Sequence, residues 1–135
     1  MNKGKYNIQL ISSSGELIHA VVEYDDDEAP YCVTLRFEDQ KIQETAENVF
    51  TAFTGIRRIL ERLELRPVCF GASRNVYPSA MALSMGAGVK AYRLTMGTPA
   101  MRSDLVHIFK NDPSVNPVYP PEQAEFYSKW INSLQ

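Results

Sequence analysis

The sequence of 135 residues lacks the features that mark several large classes of protein. Its two cysteines are too few for the disulfide framework of a small secreted domain. No apolar run approaches the roughly 20 residues that a membrane-spanning helix requires, and residues 1–6 (MNKGKY) do not form the apolar stretch of a secretory signal. The sequence therefore predicts a soluble cytoplasmic protein without a membrane partner.

Positive charge is also scarce, because 14 lysines and arginines are outnumbered by 16 aspartates and glutamates, giving a net charge of -2. Proteins that bind nucleic acid usually carry a basic surface, so we expect no direct nucleic-acid contact. The contents of 44% hydrophobic and 22% charged residues are ordinary for a folded globular protein. A chain of this length fits one domain, which we place over residues 1–135.

Motifs for catalysis and cofactor binding are missing as well. His19 and His107 are far apart and belong to no recognised catalytic or metal-binding pattern. The glycines of residues 86–88 (GAG) follow a predicted helix and precede a predicted strand, whereas a phosphate-binding loop needs the strand first. Residues 70–73 (FGAS) lack the Gly-x-Ser-x-Gly nucleophile pattern. We therefore predict a protein that is not an enzyme and holds no cofactor or metal ion.

The two cysteines, Cys32 and Cys69, each lie within an apolar run that is typical of a strand. We expect two buried thiols, because free cysteine is among the most buried residue types and the cytoplasm keeps thiols reduced. A single disulfide between the two residues is the alternative.

The first quarter of the chain alternates apolar and polar residues, which is the pattern of half-buried strands. Residues 6–12 and 17–24 are predicted to form a hairpin around the turn residues 13–16 (SSGE). Residues 31–37 (YCVTLRF) alternate again and predict a third strand. Acidic residues and Pro30 between the second and third strands disfavour a continuous run of sheet.

Helices are predicted mainly in the later part of the chain. The longest covers residues 44–63, where apolar residues recur at intervals of three and four. Thr98 and Pro99 are a typical helix start, so another helix is predicted from there to about residue 109. The predicted elements that complete the chain are a strand at residues 68–71, a short helix at 79–85, a strand at 89–95 and a last helix that begins at Pro121.

Strands thus precede most helices, which indicates the α+β fold class. We predict a single domain with a mostly antiparallel or mixed sheet and with helices packed on one face.

The acidic run of Asp25, Asp26, Asp27 and Glu28 is the most distinctive charge feature of the sequence. Four adjacent carboxylates repel one another and need solvent or partners. Such a run can contact the basic cleft of another protein; the alternative is a solvated loop whose charge protects a sheet edge. A calcium site is not predicted, because the run lacks the alternating acidic positions, central glycine and distal glutamate of a calcium loop.

Residues 73–79 (SRNVYPS) form a polar loop after a predicted strand and are the second candidate binding region. Arg74 offers a rigid fork of hydrogen-bond donors and Tyr77 offers a flat contact area, and both residue types are enriched where proteins bind one another. The alternative is that Asn75 and Ser79 only cap the helix that follows.

Four segments in the second half of the chain are similar to known proteins. They are residues 74–79 (RNVYPS), 85–94 (MGAGVKAYRL), 104–109 (DLVHIF) and 122–130 (EQAEFYSKW). Together they resemble small bacterial immunity proteins of contact-dependent growth inhibition and related polymorphic toxin systems. The resemblance implies a cytosolic protein that binds one cognate toxin domain, most often a nuclease, and blocks its active site.

On this interpretation the acidic run makes the main contacts with the toxin, and Arg74 and Tyr77 make secondary contacts. Two alternatives stay open. A small enzyme or ligand-binding domain would use the 73–79 loop and a pocket lined by Arg74, Tyr77 and His107. A regulatory homo-oligomer would expose an apolar helix face around Trp130, although the helical spacing of the aromatic stripe there predicts core positions.

Overall fold

Residues 3–25 and 27–135 are described by a computed structural model, in which the first four strands and a fifth strand build one antiparallel sheet. The predicted hairpin and third strand are confirmed, because the first two strands pair directly and the third pairs with the second. The strands of this main sheet, in the spatial order β4-β3-β2-β1-β5, are β1 (Lys3–Ser12), β2 (Leu17–Asp25), β3 (Tyr31–Phe37), β4 (Gln40–Ala46) and β5 (Leu65–Val68).

One face of the main sheet is apolar, because successive side chains on a strand point to opposite faces. Leu10 of β1 lies on this face, and so do Val22 of β2 and Leu35 of β3, which are direct cross-strand partners. All three are inaccessible to solvent. The opposite face is polar and carries an exposed ion pair between Arg36 and Glu23 at 2.7 Å.

The helix α1 (Val49–Arg62) packs against the apolar face and is shorter than predicted. A start near residue 44 is wrong, because residues up to Ala46 belong to β4 and pair with β3. The Asn48 side-chain oxygen caps the helix by accepting a hydrogen bond from the Thr51 N–H at 2.7 Å. Ala46 of β4 lies three residues before Val49 by coincidence. It therefore matched the helical spacing and made the helix seem to start too early. Four residues of the predicted stripe are buried, namely Val49, Phe53, Ile56 and Leu60, whereas its last member, Leu63, is 52% exposed.

A strand was predicted at residues 68–71, but β5 ends at Val68 and the chain continues into a short 3-10 helix at Phe70–Ala72. It then builds a second, three-stranded antiparallel sheet in the order β6-β7-β8. The predicted short helix, the strand that follows it and the last helix are confirmed near their predicted positions. The remaining elements are β6 (Val76–Tyr77), α2 (Ala80–Met85), β7 (Lys90–Arg93), a 3-10 helix (Arg102–Asp104), β8 (Leu105–His107) and α3 (Pro120–Ser133).

The helix predicted from Thr98 to about residue 109 is wrong. Thr98 forms a β-bridge with Thr95 instead, and β8 takes up the end of the segment by pairing with β7. Strand pairing in the small sheet therefore outweighed the helix-start preference of Thr98 and Pro99. Of the side chains predicted to be buried on that helix, Ile108 and Phe109 are buried, whereas Met101 and Leu105 are exposed.

A buried arginine joins α1 to the second half of the chain. The Arg57 guanidinium donates hydrogen bonds to the carbonyl oxygens of Gly71 at 3.2 Å and Val118 at 2.9 Å, and to Gln123 Oε1 at 2.6 Å. Burial lowers the pKa of Arg57 to about 10, so the side chain stays cationic at neutral pH. Among the described residues, no carboxylate forms an ion pair with it, so its hydrogen-bond acceptors are neutral oxygens, and Glu61 favours the charged form only from a distance.

Gln123 completes the network from α3. Its Nε2 lies 2.9–3.0 Å from the carbonyl oxygens of Gly71, Ser73 and Val76, which share its two hydrogens, while its Oε1 accepts from Arg57. The side chain is almost completely buried. Helix α3 is thereby fixed against the segment that leads into the small sheet.

The substitution Gln123→Ala is expected to destabilise the fold strongly, because one donor of Arg57 and the Val76 carbonyl group lose this partner, while the Gly71 and Ser73 carbonyl groups keep one other donor each. Unsatisfied buried groups cost roughly 1–3 kcal/mol each, so we expect a loss of about 3 kcal/mol or more in the free energy of unfolding. Urea denaturation followed by circular dichroism measures the loss. The exposed Ser128→Ala on the same helix is the control and should stay within about 0.5 kcal/mol of the parent protein. Equal stability of both variants would contradict the role of Gln123.

Candidate functional site

The acidic run lies in the connection between β2 and β3. Asp25 is the last residue of β2, and its carboxylate accepts a hydrogen bond from the Asp27 N–H at 3.0 Å. Asp27 and Glu28 are exposed, whereas Asp26 lies outside the described residues. The described carboxylates therefore stand at the end of the hairpin that faces α2.

A cleft of about 420 Å³ separates this connection from α2. Ala29, which follows the acidic run, lines the cleft on one side, and Leu83 of α2 lines it on the other. Glu47 also lines the cleft and adds a further carboxylate to this side. Glu47 is the only charged residue among the described lining of this cleft, and Glu28 precedes Ala29 directly in the chain. Asp25 lines a different pocket, together with Lys5 and Glu23. The negative charge beside α2 therefore comes mainly from Glu47.

Helix α2 is an apolar ridge on the surface of the protein. Ser79 caps it by accepting a hydrogen bond from the Ala82 N–H at 3.0 Å, and Ser84 is its only polar residue. None of its six residues is buried, and Met81 and Met85 are 69% and 81% exposed. Helices in proteins gain most of their stability by packing an apolar face, so a helix this exposed and this apolar is unusual.

Two adjoining pockets continue the apolar surface beyond the ridge. The first, about 310 Å³, lies beside Met81 and Met85 and reaches Leu105 of β8. The second is a groove of about 350 Å³ between the small sheet and α3, and none of the described residues that line it is charged. The pockets share Ser79 and Tyr92. We call α2 and these two pockets the α2 surface; its groove is lined by Tyr77, Pro78, Ser79, Ala80, Tyr92, Leu94, Pro99, Ala100, Tyr127, Trp130 and Leu134.

Aromatic rings form the wall of the groove. Tyr77 and Tyr92 are cross-strand partners in β6 and β7 and therefore point to the same face of the small sheet. Tyr77 stacks on Tyr127 of α3 with ring centroids 4.1 Å apart, and Trp130 lies 6.0 Å beyond Tyr127. The Trp130 indole N–H donates to the Thr98 carbonyl oxygen at 3.0 Å, so the wall is held in place on both sides.

The aromatic stripe of α3 is only partly core. Phe126 is buried as predicted, whereas Tyr127 and Trp130 are half-buried and line the groove. Ile131 and Leu134 on the last turn are 42% and 40% exposed. An apolar helix face is therefore open to solvent around Trp130.

The two residues predicted from the 73–79 loop have different surroundings. Tyr77 lines the groove, whereas Arg74 is exposed and its guanidinium lies 4.8 Å from the centre of the Phe126 ring. Tyr77 also borders a pocket of about 280 Å³ between α1 and α3, with Arg58 at its edge. The structure thus places Tyr77 on the α2 surface and Arg74 against Phe126 of α3, outside the described lining of the groove.

His107 belongs to a cluster that the sequence did not predict. The Phe109 N–H donates to His107 Nδ1 at 3.2 Å, which places the imidazole proton on Nε2. Nε2 in turn lies 3.2 Å from the hydroxyl oxygens of both Tyr6 and Tyr24. Asp104, three residues before His107, accepts a hydrogen bond from the Met101 N–H at 2.9 Å. His107 and Tyr77 lie in separate clusters and do not share the pocket that a ligand-binding domain was expected to show.

The stability of the protein should fall as the pH drops from about 6.5 to about 4. Burial, with Lys110 and Lys90 nearby, lowers the pKa of His107 from 6.5 to about 4. The unfolded chain therefore binds a proton in this window that the folded chain does not, so the contribution is complete above pH 6.5 and lost towards pH 4. Urea midpoints across this range measure the loss, and His107→Gln should remove it. The exposed His19→Gln is the control; an unchanged slope in His107→Gln would contradict the assignment.

Both cysteines are free thiols, so the alternative of a disulfide is wrong. Cys69 is fully buried, and burial raises the pKa of its thiol to about 12. Cys32 is only half-buried, and its sulfur accepts a hydrogen bond from Gln43 Nε2 at 3.0 Å. Neither thiol faces a histidine that would activate it within the part of the chain described.

Across residues 3–25 and 27–135, no three histidine, cysteine or acidic side chains are grouped closely enough to hold a metal ion. None of the helices in these ranges combines the length and apolarity that crossing a membrane requires. No protein-family model matches the sequence, and no curated protein matches it significantly.

Proposed function

We propose that this protein is an immunity protein that binds a cognate nuclease toxin domain and neutralises it by covering its active site. The observation that carries the proposal is the α2 surface, an exposed apolar ridge beside an uncharged aromatic groove, with an acidic flank. The sequence resemblance in residues 74–130 supports a toxin as the partner.

The composition of the α2 surface is that of a protein interface. Tyrosine, tryptophan and methionine are enriched where proteins bind, and charged residues are depleted at the centre of such surfaces. The groove has this composition around Tyr92, Tyr127 and Trp130, and Met81 and Met85 add long side chains that adapt to an opposing surface. Monomeric proteins rarely leave continuous apolar patches of this kind without a use for them.

The acidic flank fits a nuclease as the partner. Nucleases must attract a polyanion, so their active sites are lined by cations. An acidic segment of an inhibitor speeds the encounter with such a site and rejects partners of the same charge. Asp25, Asp27 and Glu28 at the end of the main hairpin can supply this attraction, with Glu47 beside them.

Co-purification of the tagged protein from its native host should yield a toxin domain at one-to-one stoichiometry. The recovered domain, expressed alone, should be toxic and lose its enzymatic activity when one equivalent of this protein is added. Titration of that activity measures the stoichiometry. A recovered partner whose activity is unchanged by an excess of the protein would overturn the proposal.

Alanine at Asp25, Asp26, Asp27 and Glu28 together should slow association with the toxin and make the association rate less sensitive to salt. The expected change lies mainly in the association rate, since peripheral charges act by steering. Stopped-flow mixing at two salt concentrations measures it. Alanine at Glu16, Glu38, Asp39 and Glu64 removes the same number of negative charges and is the control for net charge, because these exposed residues lie at the other end of the strands. Unchanged kinetics in the fourfold variant would remove the acidic run from the interface.

Self-association is a second candidate, favoured by the exposed Ile131 and Leu134 beside the groove. In a regulatory homo-oligomer these side chains would be covered by another copy. Sedimentation velocity across a concentration series separates a monomer from such an assembly.

A further inference from the structure

We propose that the α2 surface receives a partner segment whose apolar side chains rest on α2 and whose lysine or arginine residues lie on one flank only, over the acidic side of the cleft. The inference rests on the proposed function, because it specifies the chemistry of the partner at that site.

The need for an apolar centre follows from α2 itself. Leu83 of α2 packs against the core and is partly buried, whereas Met81 and Met85 are largely exposed and gain little from burial in the isolated chain. Covering these two side chains removes apolar area from water, and an opposing polar surface would not provide that gain. The partner must therefore present apolar side chains at this point.

The charges around α2 are distributed unequally. Leu83 faces the cleft that Glu47 lines, and Glu28 stands directly before the cleft residue Ala29. The pocket on the side of Met81 and Met85 holds Lys90 as the only charged residue among its described lining, and the groove holds none. A segment that crosses the ridge thus passes from an acidic side to a side that is neutral or weakly basic.

Charge complementarity fixes the orientation of the partner. Lysine and arginine side chains can lay their apolar stems along Leu83 and Tyr31 while their charged ends reach Glu47 and Glu28. The cleft of about 420 Å³ leaves room for such side chains. Cations on the other side of the segment would approach Lys90 and be disfavoured, so the basic flank faces the cleft.

Two synthetic helical peptides test this arrangement. They share one leucine-rich face and differ only on one flank, which carries lysine in the first and glutamate in the second. Fluorescence anisotropy at low salt should show that the lysine peptide binds about tenfold more tightly, because a few surface charge pairs of roughly 0.5 kcal/mol each amount to that ratio. The preference should shrink at high salt, since salt screens exposed charges. Equal affinity for the two peptides, or no binding of either, would overturn the inference.

Matched variants locate the site. Glu28→Lys with Glu47→Lys should reverse the preference in favour of the glutamate peptide, whereas Glu16→Lys with Asp39→Lys changes the net charge equally and should preserve it. Met81→Ser with Met85→Ser should weaken both peptides alike. Sedimentation velocity of the protein alone tests whether a second copy of the chain binds α2 instead. If the protein is a dimer and the methionine variant is a monomer, a second copy covers the ridge and the inference is overturned.

The two proposals can fail separately. If the protein neutralises its toxin but does not discriminate between the peptides, the partner chemistry is wrong and the immunity function stands. If it discriminates between the peptides but the co-purified partner keeps its activity, the surface is correctly described and the immunity function is wrong.

Discussion

A buried cation held only by neutral oxygens is the constraint on which the second half of this fold depends. Arg57 cannot leave its charge uncompensated in the interior, so carbonyl groups from two separate segments must turn inward to meet it. Gln123 supplies the third acceptor, and its amide nitrogen contacts the Gly71 carbonyl group as well as two further ones, those of Ser73 and Val76. One side chain of α1 thereby determines how the chain turns after β5 and where α3 lies.

The hydrogen bonds of Arg57 and Gln123 also fix the geometry of the groove on the α2 surface. Gln123, Tyr127 and Trp130 are spaced by four and three residues, so they share one face of α3. Val76, whose carbonyl oxygen Gln123 binds, is followed directly by Tyr77. The stacking of Tyr77 on Tyr127 at 4.1 Å therefore follows from the buried hydrogen bonds beneath it. A groove wall fixed in this way loses little conformational freedom when a partner binds, which favours affinity.

Local sequence patterns correctly predicted the elements that form from neighbouring residues. They failed for elements that form only by pairing with a strand elsewhere in the chain. Periodicity predicted the hairpin of β1 and β2 and the core stripe of α1. Ser79 indicated the start of α2, because serine is a common helix N-cap. Thr98 and Pro99 suggested a helix, but the end of that segment forms β8 by pairing with β7. The residues of β8 alone carry no sign of this pairing. The groove was beyond prediction for the same reason, because Tyr77, Tyr92 and Tyr127 come from three separate segments. The acidic run was visible in the sequence, whereas its position beside α2 was not.

Helix α2 is exposed on its outer side yet anchored at both ends. Ser79 caps its start, and the Ala87 carbonyl oxygen beyond its end accepts a hydrogen bond from the Val49 N–H at 2.7 Å. Gly88 has a φ of +77° and lies so close to α1 that a Cβ would be 3.0 Å from Asn48 Oδ1. The ridge is thus tied to the start of α1 through a position that favours glycine. Since the ridge carries no charge of its own, selectivity between partners must come from its flanks, where Glu47 stands on one side and Lys90 on the other.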